Sequence, residues 1–174
     1  TAIPNFGYNG FQNNPTGSYD IILAKFDSTG TAKWITYYGG TNVDFSLDVI
    51  TDKYSNAYLI GRTWSTTGMA WRGFQNANAS TASDGIFVKF DSTGNRVWAT
   101  FYGSDDFEHF TGASLYGNKL ILAGQTASKN NLASQNAYQT TYGGGFRDAA
   151  LTVIYLYNLE GQVTNNRDYC LEDT

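Results

Sequence analysis

KFDSTGTAKWITYYGG, residues 25–40, decides the fold. It returns at residues 89–104 as KFDSTGNRVWATFYGS, so Asp27, Gly30, Trp34 and Tyr38 reappear 64 residues later as Asp91, Gly94, Trp98 and Tyr102. Between residues 20–40 and 84–104, 12 of 21 positions are identical. Self-similarity at a fixed period marks a repeat architecture. Residues 21–26 and 85–90 are short, apolar and rich in β-branched and aromatic side chains, which favours strand. Asp-Ser-Thr-Gly then breaks each run: Asp binds turn backbone, and Gly30 or Gly94 supplies the positive φ that closes a hairpin. The chain returns in strand-like residues 33–38 and 97–102. In the first strand, Ile22, Ala24 and Phe26 fall on one face and Ile21 and Leu23 on the other, so a sheet covered on both sides is expected.

Two more strands fit between successive hairpins, at 47–50 and 57–63 and again at 113–115 and 119–126. Four short strands per period, in small sheets with both faces buried on neighbours, describe the blades of a β-propeller. The expected fold is all-β, with no helix beyond short turns and four-stranded antiparallel blades. About two and a half blades are present, over repeats at approximately 11–73, 74–137 and 138–174. A ring of such blades typically needs 4–8 of them, so the chain is expected to form an open arc or part of a larger ring. The apolar faces at its two ends, 21–24 and 150–157, then need a partner. The third copy has drifted: Asn158-Leu159-Glu160-Gly161 replaces Asp-Ser-Thr-Gly, and the Trp is absent.

The pattern D-x-x-x-x-K-F-D-S-x-G-x-x-x-W-x-x-x-Y-G-G, carried by Asp20, Lys25 through Gly30, Trp34 and Tyr38 through Gly40, resembles the SBBP repeat of secreted bacterial proteins. The glycine-bearing strand ends at 61–63 and 124–126 and the Phe11-Gln12 and Phe74-Gln75 pairs match it too. The resemblance spans almost the whole chain. It implies a propeller and an extracellular or bacterial cell-surface location, but no shared catalytic residues.

Composition narrows the function classes. Aromatics make up 16% of the chain and charged residues 15%, and the net charge is −4. No stripe of Lys and Arg marks a nucleic-acid interface. No apolar run approaches the roughly 20 residues of a membrane-spanning helix. Cys170 is the single cysteine, so neither an internal disulfide nor a cysteine-rich zinc site can form. Asn78-Ala79-Ser80 matches a glycosylation acceptor, a short pattern of little weight in a bacterial protein. The chain opens at Thr1, inside the motif, and an upstream segment or leader is expected. P-loop, dinucleotide, nucleophile-elbow and zinc-protease patterns are all absent, and neither a cofactor nor a metal is expected.

Three long connections, near 1–19, 64–83 and 127–147, exceed the usual length. Phe11, Phe74 and Tyr138 are expected to pin them to the sheets. Trp64 and Trp71 are candidate ligand contacts, because flat aromatics bind sugars and proteins well. Trp64 aligns with Ala127, so the repeat does not require it. The links at 41–45 and 105–109 reach the axial end of a propeller and bring Asp44, Asp105, Asp106 and Glu108. These acids suit a cation or a catalytic carboxylate pair, or else simply cap strand ends in solvent. His109 has no partner of a catalytic arrangement. Lys25 and Lys89 are expected to pair with Asp27 and Asp91. Trp34 and Trp98 are expected to be buried packing residues.

The leading expectation is a non-enzymatic, extracellular binding or scaffolding module. Its partners would be other surface proteins, the rest of its own propeller or a glycan. The alternative is a glycosidase or lyase acting on polysaccharide through the axial acids.

Overall fold

The computed structural model of the protein describes residues 6–156. Among them there is no helix, and hence none long and apolar enough to cross a membrane. Nine strands form three antiparallel sheets. The first sheet pairs β1 (Ile21–Phe26) with β2 (Ala32–Tyr38). The second holds β3 (Asp44–Thr51), β4 (Ala57–Thr63), β5 (Asp84–Phe90) and β6 (Arg96–Tyr102) in sequence order. The third runs β7 (Glu108–Tyr116), β8 (Lys119–Thr126) and β9 (Asp148–Tyr155). Among the described residues no sheet closes on itself.

The hairpins turn where Asp-Ser-Thr-Gly stands. Asp27 Oδ1 accepts the backbone N–H groups of Thr29 at 2.9 Å and Thr31 at 3.0 Å. Asp91 Oδ1 does the same for Thr93 and Asn95. Gly30 and Gly94 have φ of +81° and +91°, a region that costs any residue with a Cβ. The third expected turn, at Asn158, lies outside the described residues, as does Cys170.

The middle sheet shows why both faces of its strands are apolar. Ala57 and Leu59 of β4, Ile86, Val88 and Phe90 of β5, and Ala99 and Phe101 of β6 point one way and share a core with Ile21 and Tyr38 of the first sheet. Tyr58, Ile60, Phe87, Trp98 and Tyr102 point the other way and share a core with Phe110, Leu120, Leu122 and Ile154 of the third. Period-2 alternation thus feeds two apolar layers instead of one layer and solvent. Among the described residues only the middle sheet is covered on both sides. The expectation for β1 is corrected: Ile21 is buried against the middle sheet, but Ile22, Ala24 and Phe26 are exposed.

Trp34 and Trp98 are 3% and 6% exposed. Trp34 packs beneath the next repeat's turn, where its Nε1–H donates to the Ser92 carbonyl at 3.2 Å. Lys25 Nζ donates to the same carbonyl. The expected Lys25–Asp27 pair is therefore corrected: Asp27 pairs with Lys33 at 2.8 Å, and Lys25 reaches across to the second hairpin. The shift in β1–β2 register beside Lys25 places Lys33 opposite the turn. Lys89 lies over the Tyr58 ring.

The connections before β1 and before β5 are packed onto the outer strands β2 and β6. Trp71 exchanges backbone hydrogen bonds with Ala99, both at 2.8 Å, and Phe101 N–H donates to the Gln75 carbonyl. The connection before β1 does likewise, through Tyr8 on Ile35 and Tyr37 on Gln12. Covering the edge strand in this way removes an open row of backbone donors and acceptors. The glutamine of each Phe-Gln pair then ties the connection to the start of the following strand. Gln75 Nε2 donates to Asp84 at 3.1 Å and to the Ala77 carbonyl at 3.1 Å, while its Oε1 accepts Gly103 N–H at 3.2 Å. Gln12 and Asp20 repeat the arrangement with Asn14 and Gly39, and Gln139 and Asp148 repeat it with Thr141. Phe74 meets the Tyr102 ring edge-on and Phe11 meets Tyr38, but Tyr138 is fully exposed and pins nothing. In the third connection the polar clamp acts without the aromatic one.

Candidate functional site

The four candidate acids divide into two pairs. Asp44 and Glu108 do not belong to the links: the inner strands begin earlier than expected and these acids are their first residues. Both are buried. Asp44 accepts hydrogen bonds from Gly40 N–H at 2.8 Å, Ser65 Oγ at 3.2 Å and Thr63 Oγ1. Glu108 accepts them from Ser104 N–H at 3.1 Å and Thr126 Oγ1 at 2.7 Å. The Thr-x-Ser at the end of the second strand of each repeat thus receives the acid at the start of the first. These are internal latches, not solvated caps.

Beside Glu108 lies Asp84. A Cβ placed on Gly103 would stand 2.5 Å from Asp84 Oδ1 and 2.5 Å from Glu108 Oε2, so the two carboxylates converge on the bare glycine. Burial, the largest influence, pushes Asp84 up to about 6 and Glu108 up to about 7, with the nearby Asp84 charge adding to the rise at Glu108. Asp44 is raised as well, by burial first and by Asp20 among the lesser causes. Asp20 crowds Gly39 as Asp84 crowds Gly103, and its charge acts on Asp44 as that of Asp84 acts on Glu108. Perturbed carboxyl groups are often a mark of chemistry, but both pairs join one sheet to the start of the next and accept backbone N–H groups, which fits a joint between sheets.

Asp105 and Asp106 are exposed, as a link residue should be. Asp105 accepts from the backbone N–H groups of Lys129 and Asn130 and from Asn130 Nδ2 at 2.7 Å. These bonds, led by the Asn130 side chain, hold it below the usual carboxylate range. Asp106 Oδ1 accepts Phe107 N–H at 2.9 Å. With Glu108 turned inward, the three acids do not share a cation site; among the described residues no group of three or more His, Cys, Asp and Glu is gathered.

Trp64 and Asp106 do come together. They line a cleft of about 410 Å³ with Phe107, Tyr142, Phe146 and Arg147; Lys129 and the buried Ser83 also border it. Its walls come from the long connections and from the link before β7. Trp71 stands elsewhere, half exposed beside Arg72 and Arg96. A broader groove of about 640 Å³ runs along 74–79 and 103–104. Its amides are engaged in holding the connection: Asn76 donates to the Gly73 carbonyl, and Asn78 to those of Thr63 and Ala82.

The smaller cleft has an aromatic and cationic wall. Arg62 Cζ lies 5.0 Å from the Trp64 ring centroid, 5.2 Å from Phe45 and 5.6 Å from Phe107. Arg147 Cζ lies 4.2 Å from Phe107 and 4.7 Å from Phe146. Phe45 meets Trp64 edge-on, and His109 meets Phe107 the same way. Burial, then the Arg147 cation, presses Arg62 below its ordinary value. Burial, then Arg62 and Arg147, does so for His109. Sequence reasoning found Trp64 and Asp106 and passed over Arg62, Phe107, Tyr142, Phe146 and Arg147. One signal was available: Phe107 aligns with Val43, so its ring, like that of Trp64, exceeds what the repeat needs. No family model matches the chain, and no curated protein matches it.

Proposed function

We propose that the chain is a segment of an extracellular β-propeller of the SBBP-repeat kind, part of a bacterial surface or secreted protein. In this reading it works as a non-enzymatic module that binds protein or glycan. Three features support the propeller. The middle sheet is a four-stranded meander in sequence order, its two faces are covered by the sheets of the neighbouring repeats, and the links from outer to inner strand recur at 39–43 and 103–107. Apolar faces left at both ends, with Ile22 and Phe26 on one and Leu151 on the other, suit the addition of further blades.

The observation that carries the binding role is the aromatic cleft. Trp64 and Phe107 replace Ala127 and Val43 of the neighbouring repeat, and they stand with Tyr142 and Phe146 around one concavity. Its volume falls within the roughly 300–1,000 Å³ of small-ligand pockets. Flat rings with polar edges suit the faces of sugar rings. Of the acids first considered for hydrolysis only Asp106 lines this cleft, so a two-carboxylate mechanism has no second partner there. The test is a glycan array and a pull-down from bacterial surface extract, with Phe146→Ala and Trp64→Ala as controls. Loss of a bound ligand in both variants supports the cleft. Absence of any partner, or capture untouched by both substitutions, overturns it.

A further inference from the structure

The cleft has a charge that its neighbourhood does not match. Arg147, Lys129 and the adjacent Arg62 bring three cations, and Asp106 is the one acid among its lining residues. Among the described residues neither arginine forms an ion pair. Arg147 Nη1 donates to a neutral partner, Gln125 Oε1, at 3.1 Å, and Arg62 Nε is buried with no hydrogen-bond partner. The nearby acids are already engaged: Asp148 by Gln139 and Gly143, Glu108 by Thr126 and Ser104. His109 Nε2 is also buried with no hydrogen-bond partner. A guanidinium without an ion pair suits the planar edge of an oxyanion, and that of Arg147 lines the cleft.

Resting on the reading of this cleft as a glycan site, we propose that its ligand is an anionic saccharide, whose carboxylate or sulfate is held by Arg147 and Arg62 while its ring stacks on the aromatic wall. A short saccharide fits better than a folded protein partner. The cleft is a single small concavity, whereas a stable protein interface covers roughly 800 Å² on each side. The aromatic rings supply affinity for any sugar face and the arginines select the charged one. Selection by charge also predicts that affinity falls as ionic strength rises.

The experiment titrates the full chain with four probes: a uronic-acid disaccharide, its carboxyl-reduced neutral counterpart, an O-sulfated form of that neutral sugar, and a short acidic peptide. Calorimetry reads affinity, and circular dichroism checks that each variant is folded. The expected result is that one or both anionic sugars bind at least about tenfold tighter than the neutral one. Arg147→Gln and Arg62→Gln should each remove that preference, bringing the anionic sugars down to the affinity of the neutral one for the same variant; Arg147 is exposed, so its variant tests the idea even if the other destabilises the sheet. Equal binding of charged and neutral sugars overturns the proposal and leaves the glycan reading standing. Binding of no sugar overturns both. Arginine-dependent binding of the peptide alone replaces the saccharide with an acidic protein segment.

Discussion

Gly30 and Gly94 close the same turn with nearly the same backbone, yet replacing them should have different consequences. A side chain at either position faces the left-handed region, which costs about 1–2 kcal/mol. A Cβ on Gly30 would meet nothing within 4 Å. A Cβ on Gly94 would stand 2.8 Å from both Cγ and Cδ2 of Trp34, a ring buried beneath the turn. Overpacking against a ring that cannot withdraw adds about 1–3 kcal/mol. Gly30→Ala should therefore cost about 1–2 kcal/mol and Gly94→Ala about 2–5 kcal/mol, the second sum combining both effects. At this chain length each kcal/mol lowers Tm by roughly 2–4 °C. Urea titration followed by circular dichroism measures both costs. A double-mutant cycle with Trp34→Leu isolates the contact: without the ring, Gly94→Ala should become as mild as Gly30→Ala. Equal costs at the two glycines in the native background would refute the idea that successive repeats interlock through this tryptophan.

Stability should fall as pH rises between about 4 and 7, because Asp84 and Glu108 have ordinary values of 3.8 and 4.5 and are lifted by burial to about 6 and about 7; the folded state binds more protons than the unfolded one across that window. Glu108→Gln should flatten the decline in urea titrations, and a wild-type stability that holds steady or climbs there would contradict the buried joint. Asp91 and Asp52 shift the opposite way, so the stability they add is lost only as pH drops below the ordinary carboxylate range. Gln75→Ala removes three hydrogen bonds of the clamp and should cost about 1–3 kcal/mol, while opening 64–83 to limited proteolysis; cleavage at the native rate would show that the loop is held by other contacts. Trp98→Ala should cost about 3–5 kcal/mol through lost burial and the cavity left behind, and a melting temperature within a degree or two of the parent would mean that the ring is not a core element.

The strand order was legible because each unit is local. An apolar run, an Asp-Ser-Thr-Gly turn and a second apolar run specify a hairpin without reference to the rest of the chain, and a second copy of the same text fixes the period. Apolar residues on both faces of β1 suggested a double covering that the middle sheet receives and β1 itself does not. Strand starts were less legible. Asp44 and Glu108 are acids beside a polar link, and on composition they belong to it; only their Thr-x-Ser partners, on the neighbouring strand, make burial tolerable. The Gln-to-Asp clamp was half visible. Both residues recur, but their separation of eight or nine positions matches no helix or strand period, so nothing local connects them. Lys25 misled for the opposite reason. Its nearest acid in sequence is Asp27, whereas the fold offers Asp27 the ammonium of Lys33.

Binding features in a repeat protein are easier to recognise by what departs from the repeat than by what obeys it. Residues that recur, such as Asp20 with Asp84 or Gln12 with Gln75, answer needs that every unit has: closing a turn, holding a connection, joining sheets. A ring at Trp64 where the next unit has Ala127, or at Phe107 where the previous one has Val43, answers no such need. That contrast is available from the text alone, and it points to half of the cleft. The other half arrives from afar. Arg62 is the last residue but one of β4 and Arg147 precedes β9, and both guanidinium groups lie over the ring of Phe107 in the link before β7. Two like charges are drawn to one ring, and among the described residues neither forms an ion pair. Under the proposed reading, that unmatched charge is what an anionic ligand would meet.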